Sequence, residues 1–336
     1  MKKMDICLIS DDNYVEYMAT LIVSVLKNSC KDDKFHFHVI DTGIKSDSKE
    51  KLIDLKNIKD FEISFYISPN IEKYKKWAKE FKEETHLWWK WHYSILTKLD
   101  IPFIFKDLDN ILFLDSDMIV LTQLNKFYEI DMSDYYIATI QGDKKCLSWI
   151  SENSPFFNWM NEIGCEKREY VGTGLFFINL KLIRDKYGLE NYQRDIDICF
   201  NKYKNTIFTE EHIFLYVFKK FIAYIDYNAN ICLEWRDEEQ PFNERDIKIM
   251  HFKPLSKKHN YELNDGYNKF WEYFSETMFF KENYFKYMNI FAYNASKMER
   301  NKIIEAINKI VDIIVYPIPF RKVRHSIRNK INDILN

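Results

Sequence analysis

Ile111-Leu112-Phe113-Leu114-Asp115-Ser116-Asp117-Met118-Ile119-Val120 is an apolar run that stops at two acids and then turns apolar again. Read as a buried strand, it leaves Asp115 at the carboxyl end, where open α/β sheets place their ligands. In extended chain, residues i and i+2 share a face, so Asp115 and Asp117 can point into one site. Two like charges held that close repel. A divalent cation relieves the repulsion, and hard carboxylate oxygens suit magnesium or manganese.

Around this stretch the chain has the makings of a large core. It has 336 residues, of which 46% are hydrophobic, enough for one large domain with an appendage or two modest ones. A net charge of −2 predicts no general affinity for nucleic acid. Six dispersed cysteines (Cys7, Cys30, Cys146, Cys165, Cys199, Cys232) form no Cys-x-x-Cys pair, which fits a reduced, cytoplasmic protein without a zinc site. The opening Met1-Lys2-Lys3-Met4-Asp5 lacks the length and cleavage site of a signal peptide. No stretch approaches the roughly 20 apolar residues that cross a bilayer. Only seven glycines occur, and neither common glycine-rich phosphate cradle is present. A phosphorylated ligand would therefore be neutralised by a metal and lysines.

Strands are expected at Asp5–Ile9, Phe35–Ile40 and Phe61–Ile67, with helices over 15–29 and 47–58. That alternation predicts a parallel, helix-covered sheet. His36 and His38 are read as strand residues facing a neighbour rather than as metal ligands. An aromatic, helix-rich region with Trp88, Trp89 and Trp91 follows, read as core or cleft lining. Later strands are expected at Tyr136–Ile140, Leu175–Leu180 and Ile247–Met250. Strand signals stop near residue 260, which divides a catalytic domain over 1–260 from a helical, lysine-rich and aromatic region over 261–336. Within the latter, residues 302–315 form an amphipathic helix candidate, and Arg321–Ile331 is a basic amphipathic stretch suited to an anionic membrane surface.

Four motifs occur in one order: Asp11-Asp12-Asn13-Tyr14 after the first strand, Asp115-Ser116-Asp117, Gly172-Thr173-Gly174 running into Leu175–Leu180, and His251-Phe252-Lys253-Pro254-Leu255-Ser256-Lys257. Over about residues 4–260 the chain resembles glycosyltransferase family 8, the retaining hexosyltransferases of bacterial surface glycans, with glycogenin as a relative. The resemblance implies a GT-A type, Rossmann-like α/β fold around a mixed sheet. It also implies Mn²⁺ (or Mg²⁺) and a UDP-hexose donor, usually UDP-galactose or UDP-glucose, with a glycan or glycolipid acceptor. By position, Asp115, Asp117 and His251 would ligate the metal. Tyr14 would stack on uracil, with Asp11 and Asn13 holding the uridine and Lys257 reaching the diphosphate. Ile9, Lys98 and Ser116 complete the implied donor-binding set. A helix cap would account for Asp11–Tyr14 equally, and the two roles are compatible.

The chain departs from the family pattern at several positions. Lys98 stands where an arginine is common, keeping the charge and losing the bidentate fork. Gly172-Thr173-Gly174 replaces Asn-Ala-Gly, and Pro254 replaces a glycine. Lys257-Lys258-His259 replaces Lys-Pro-Trp. The usual Asp-Gln pair at the reacting carbon becomes Glu210-Glu211. A carboxylate at Glu211 could act as a nucleophile, or Glu210 and Glu211 could bind sugar hydroxyls; the second is favoured. The implied function is transfer of galactose or glucose to a surface-glycan precursor at the inner face of the plasma membrane. The alternatives are a nucleotide-sugar hydrolase, a nucleotidyltransferase, and a degenerate nucleotide-sugar-binding module.

Overall fold

The structure is a computed structural model that describes residues 3–85, 92–141, 154–204, 209–225, 231–232, 249–252 and 265–289, with isolated positions at 292, 296, 300 and 329–330. Trp88, Trp89, Trp91, Lys257 and almost all of the two C-terminal amphipathic segments lie outside the described residues. The chain begins with β1 (Lys3–Ser10), α1 (Val15–Lys27), β2 (Lys34–Asp41), α2 (Ser46–Asp54), β3 (Glu62–Tyr66) and α3 (Ile71–Thr85). A tight helical stretch over Tyr93–Asp100 leads into α4 (Ile101–Ile104), β4 (Asn110–Leu114) and β5 (Met118–Val120). There follow β6 (Ile137–Gln141), α5 (Pro155–Glu162), β7 (Val171–Asn179), α6 (Leu180–Leu182), α7 (Leu189–Tyr203), α8 (Glu210–Phe218) and β8 (Ile222–Ile225). The last are β9 (Ile231–Cys232), β10 (Ile249–His251), α9 (Asp265–Phe274) and α10 (Met278–Glu282).

The main sheet has seven strands in the order β3-β2-β1-β4-β7-β6-β8. Its amino-terminal half, β3-β2-β1-β4, is parallel, as the strand–helix alternation predicts. β7 then runs antiparallel to both β4 and β6, making the sheet mixed. This is the expected α/β fold. A second, three-stranded sheet has the order β5-β10-β9. Its strands span only two or three residues each, too few to show a period of two in the sequence.

Both faces of the main sheet are covered, which is why its strands read as near-continuous apolar runs. Ile6, Leu8, Leu112, Leu114 and Phe177 face one core with α1, while Cys7, Ile111, Phe113, Phe176 and Ile178 face the other with α7 and α8. α1 places Glu16 in its first turn and Lys27 in its last, each complementing the helix dipole. It is buried almost all round, because the sheet covers one side and β5 with α9 covers another. Tyr17 meets Phe270 at 5.8 Å, and Asn28 Nδ2 donates to the Tyr273 hydroxyl at 2.9 Å. Residues beyond 260 thus contribute Phe270, Tyr273 and Phe274 to the same core as β1. Among the described residues, no helix is long and apolar enough to cross a membrane, and Cys7, Cys30, Cys165 and Cys199 are free thiols.

Candidate active site

β4 ends at Leu114, and the chain turns through Asp115-Ser116-Asp117 to cross into the small sheet as β5. The turn is fixed on three sides. The Asp115 amide donates to the Gly174 carbonyl at 2.8 Å, the Ser116 hydroxyl donates to the Ile9 carbonyl at 2.5 Å, and the Phe252 amide donates to the Asp117 carbonyl at 2.9 Å. The Ser116 side chain therefore ties the turn after β4 to the Ile9 carbonyl near the carboxyl end of β1. β10 pairs antiparallel to β5 with His251 opposite Met118. That register brings His251 Nε2 to 3.1 Å from Asp117 Oδ1 and 3.7 Å from Asp115 Oδ2. One ligand atom from each of the three lies within 4.8 Å of the others.

The donor set fits a divalent cation: two carboxylates and one imidazole, partly open on the carboxylate side and buried on the histidine side. Gly174 supplies the space. A Cβ there would lie 2.7 Å from His251 Cε1, 3.0 Å from Met118 Cε and 3.1 Å from Asp115 Oδ2. A glycine inside a strand signals such a close approach.

Behind the triad lies a buried ion cluster. Lys98 Nζ is 3.0 Å from Asp115 Oδ1, 2.9 Å from Glu210 Oε1 and 3.1 Å from the Thr173 carbonyl. The Thr173 hydroxyl donates to the same Glu210 oxygen at 2.8 Å. Burial opposes the ammonium charge, but the facing carboxylates of Asp115 and Glu210 outweigh it and hold the Lys98 pKa above its ordinary value. The other Glu210 oxygen, Oε2, is buried with no hydrogen-bond partner among the described residues. Glu211, next along the first turn of α8, accepts a hydrogen bond from the Tyr170 hydroxyl instead. The two glutamates thus differ in environment: Glu210 joins the Lys98 cluster, and Glu211 pairs with a tyrosine at the start of β7.

At the end of β1, the Asp11 carboxylate accepts from the Asn13 amide at 2.9 Å, the Asn13 side chain at 2.9 Å and the Tyr14 amide at 3.1 Å. Asp11 therefore shapes the turn into α1 and still keeps acceptor lone pairs. Asp12 faces away, accepting from the Ser48 hydroxyl at 2.7 Å and pairing with Lys45 at 2.7 Å. Tyr14 is half-buried. Burial raises its phenol pKa first, followed by the negative charges of Asp117, Asp11 and Asp115. Its hydroxyl therefore feels the same negative field as the triad.

Sequence reasoning singled out Asp115, Asp117 and His251, and the fold brings them together. It did not single out Tyr170 or Met118, whose neighbours come from other strands. A groove of about 980 Å³ lined by Phe103, Leu189, Gln193 and Ile198 lies away from this cluster. It has no convergent carboxylate–histidine set, so chemistry rather than volume locates the site.

The sequence profile of glycosyl transferase family 8 matches residues 5–275. A provisionally named glycosyltransferase of Haemophilus influenzae is 24% identical over 277 residues, covering 80% of this chain and 73% of that protein. General stress protein A of Bacillus subtilis is 27% identical over 141 residues, covering 41% of this chain and 46% of that protein. Among solved structures, the apo bifunctional glycosyltransferase WbbM superposes with a TM-score of 0.65 at 19% identity, over 84% of this chain and 51% of that one. This chain thus spans about half of WbbM. The galactosyltransferase LgtC, solved with donor and acceptor sugar analogues, gives a TM-score of 0.62 at 20% identity, over 82% of this chain and 96% of that one. These structural likenesses establish the GT-A type fold. The profile match spans most of the chain, and on that ground this protein belongs to glycosyl transferase family 8 and is a glycosyltransferase.

Proposed function

We propose that this chain transfers galactose or glucose from a UDP-sugar to a surface-glycan or glycolipid precursor, with retention of configuration. The observation that carries the reading is the Asp115–Asp117–His251 triad beneath the Gly174 cradle. Asp115, Asp117 and His251 would hold Mn²⁺ or Mg²⁺. When bound, that cation supplies Lewis-acid neutralisation of the diphosphate leaving group. Tyr14 offers a half-buried ring for uracil, with Asp11 and Asn13 beside it as hydrogen-bonding groups for the uridine. The turn joining Ile9 and Ser116 lines the same end of the sheet, and Lys257 is assigned to the diphosphate.

Lys98 acts within the protein. It neutralises Asp115 and Glu210 and fixes their positions, in place of a direct phosphate contact. Glu210 Oε2, desolvated and without a partner among the described residues, is assigned to a donor-sugar hydroxyl. Glu211 is oriented by Tyr170 and is likewise assigned to the sugar rather than to a covalent intermediate. The C-terminal stretch over 321–331 is assigned to an anionic membrane surface at the cytoplasmic face. Its clustered lysines and arginines alternate with apolar residues, which supports that reading.

The test is release of UDP from each common UDP-sugar in the presence of Mn²⁺ and acceptor extracts, with Asp117→Ala as the control. Release from one sugar, abolished in Asp117→Ala and retained in Glu211→Gln at reduced turnover, is the expected result. Failure of every sugar, together with no metal-dependent UDP binding, would leave a degenerate nucleotide-sugar-binding module. For the membrane assignment, removal of residues 300–336 is expected to lower binding to anionic liposomes severalfold. Unchanged binding refutes it.

A further inference from the structure

A second group of ligand-competent side chains lies on the main sheet, away from the catalytic end. Asp5 on β1 pairs across the ladder with His36 on β2, and His36 with Glu62 on β3. His38, two residues on, projects from the same face as His36. Asp5 Oδ1 is 2.9 Å from His38 Nε2 and 3.8 Å from His36 Nδ1. Glu62 Oε2 is 3.5 Å from the same His36 nitrogen. One ligand atom from each of Asp5, His36 and His38 lies within 4.8 Å of the others.

The outer nitrogens of both rings are already held. His36 Nε2 is 2.8 Å from the Ser64 hydroxyl, and His38 Nδ1 is 3.0 Å from the Tyr66 hydroxyl. Metal-ligating histidines are oriented by such partners on the nitrogen that does not bind the metal. With Nε2–H of His36 donating to Ser64, its Nδ1 presents a lone pair to two carboxylates. In that tautomer a cation would satisfy the three facing acceptors, whereas the other tautomer turns Nδ1–H toward the carboxylates and lets Ser64 donate to Nε2.

We propose that Asp5, His36 and His38, with Glu62 as the fourth ligand, form a zinc site that ties β1, β2 and β3 together. Two imidazoles and two carboxylates are a zinc-type donor set, balanced in charge once the ion is bound. The catalytic triad, with two carboxylates and one imidazole, is harder and suits manganese or magnesium better. Binding at His38 moves its proton from Nε2 to Nδ1, where the Tyr66 oxygen can accept it. Glu62 must also release Lys3, which it contacts at 2.8 Å. Both groups are largely exposed, so that exchange is cheap. Three ligands are already assembled, and Glu62 drawn across from β3 would close the site; it lies at the start of β1, whereas the catalytic turn adjoins its end, which makes it structural rather than catalytic.

Zinc binding is measured on the full chain carrying Asp117→Ala, so that the catalytic triad does not contribute, by competition with a chromophoric chelator and by the visible spectrum after Co²⁺ substitution. One zinc per chain and a tetrahedral Co²⁺ spectrum are expected. His36→Gln in that background should weaken zinc binding by about a hundredfold or more, and Ser64→Ala by about tenfold. Both variants should unfold at the parent's midpoint when zinc is chelated. Absence of zinc binding at micromolar concentration, or affinity unchanged in both variants, overturns the proposal. If His36→Gln does not fold, Ser64→Ala decides.

Discussion

Gly174 shows how one missing methyl group holds a site open. The atom that its Cβ would strike belongs to a buried imidazole ring, which cannot swing aside as a flexible chain end could. Gly174→Ala is therefore expected to displace His251, weaken divalent-metal binding by about 10- to 100-fold and cost roughly 1–3 kcal/mol through overpacking. Isothermal titration with Mn²⁺ and urea unfolding check the two effects separately. The glycine was visible in the sequence as an interruption of a strand, but its purpose was not, because His251 reaches it from 77 positions downstream. Asp115 and Asp117 were legible because charge breaks an apolar run within three residues. Lys98 was legible only as a charge. Its partners Asp115 and Glu210 come from two other elements, and local pattern carries no information about them.

α8 begins with an unusual reciprocal cap. The Thr209 hydroxyl and amide lie 2.7 Å and 3.1 Å from Nδ1 of His212, so an imidazole fills the place that a Glu or Gln often takes. The ring is packed against Phe156 and Trp159, and burial pushes its pKa down from 6.5 to about 3. The unfolded chain therefore binds a proton that the folded chain refuses between those two values. Stability rises with pH across that window and is lost as pH falls through it. The slope from this one group approaches about 1.4 kcal/mol per pH unit. His212→Asn should flatten the acid limb of unfolding midpoint against pH. An unchanged limb would show that other groups set it. Neither this helix nor its cap was read from the sequence, since Thr-x-x-His has no standing as a start signal. β5, β8 and β9 were poorly legible for a related reason: strands this short are defined by their partners, whereas β10 overlaps the strand expected at Ile247–Met250.

Among the described residues, two cores are divided by one sheet, and both faces were foreseeable from strands without polar alternation. The change of direction at β7 was not readable from periodicity, because parallel and antiparallel strands share the same period. α9 lies beyond the division expected near residue 260, and it packs on α1 through Phe270, Tyr273 and Phe274. Phe270→Ala is expected to cost about 3–5 kcal/mol of stability by guanidinium unfolding, as for a core phenylalanine. A cost below 1 kcal/mol would mean that α9 is a detachable accessory (roughly the range of surface substitutions). The register of β10 on β5 carries a consequence for synthesis. The ribosome delivers Asp115, Asp117, Lys98 and Glu210 well before His251. A chain interrupted between Phe218 and Ile249 would hold most of the main sheet and both carboxylates, yet lack the imidazole that completes the triad. With the proposed metal role of His251, products that end before it are expected to bind no divalent metal at this turn, because that side chain arrives only when nearly all of the catalytic scaffold has been made.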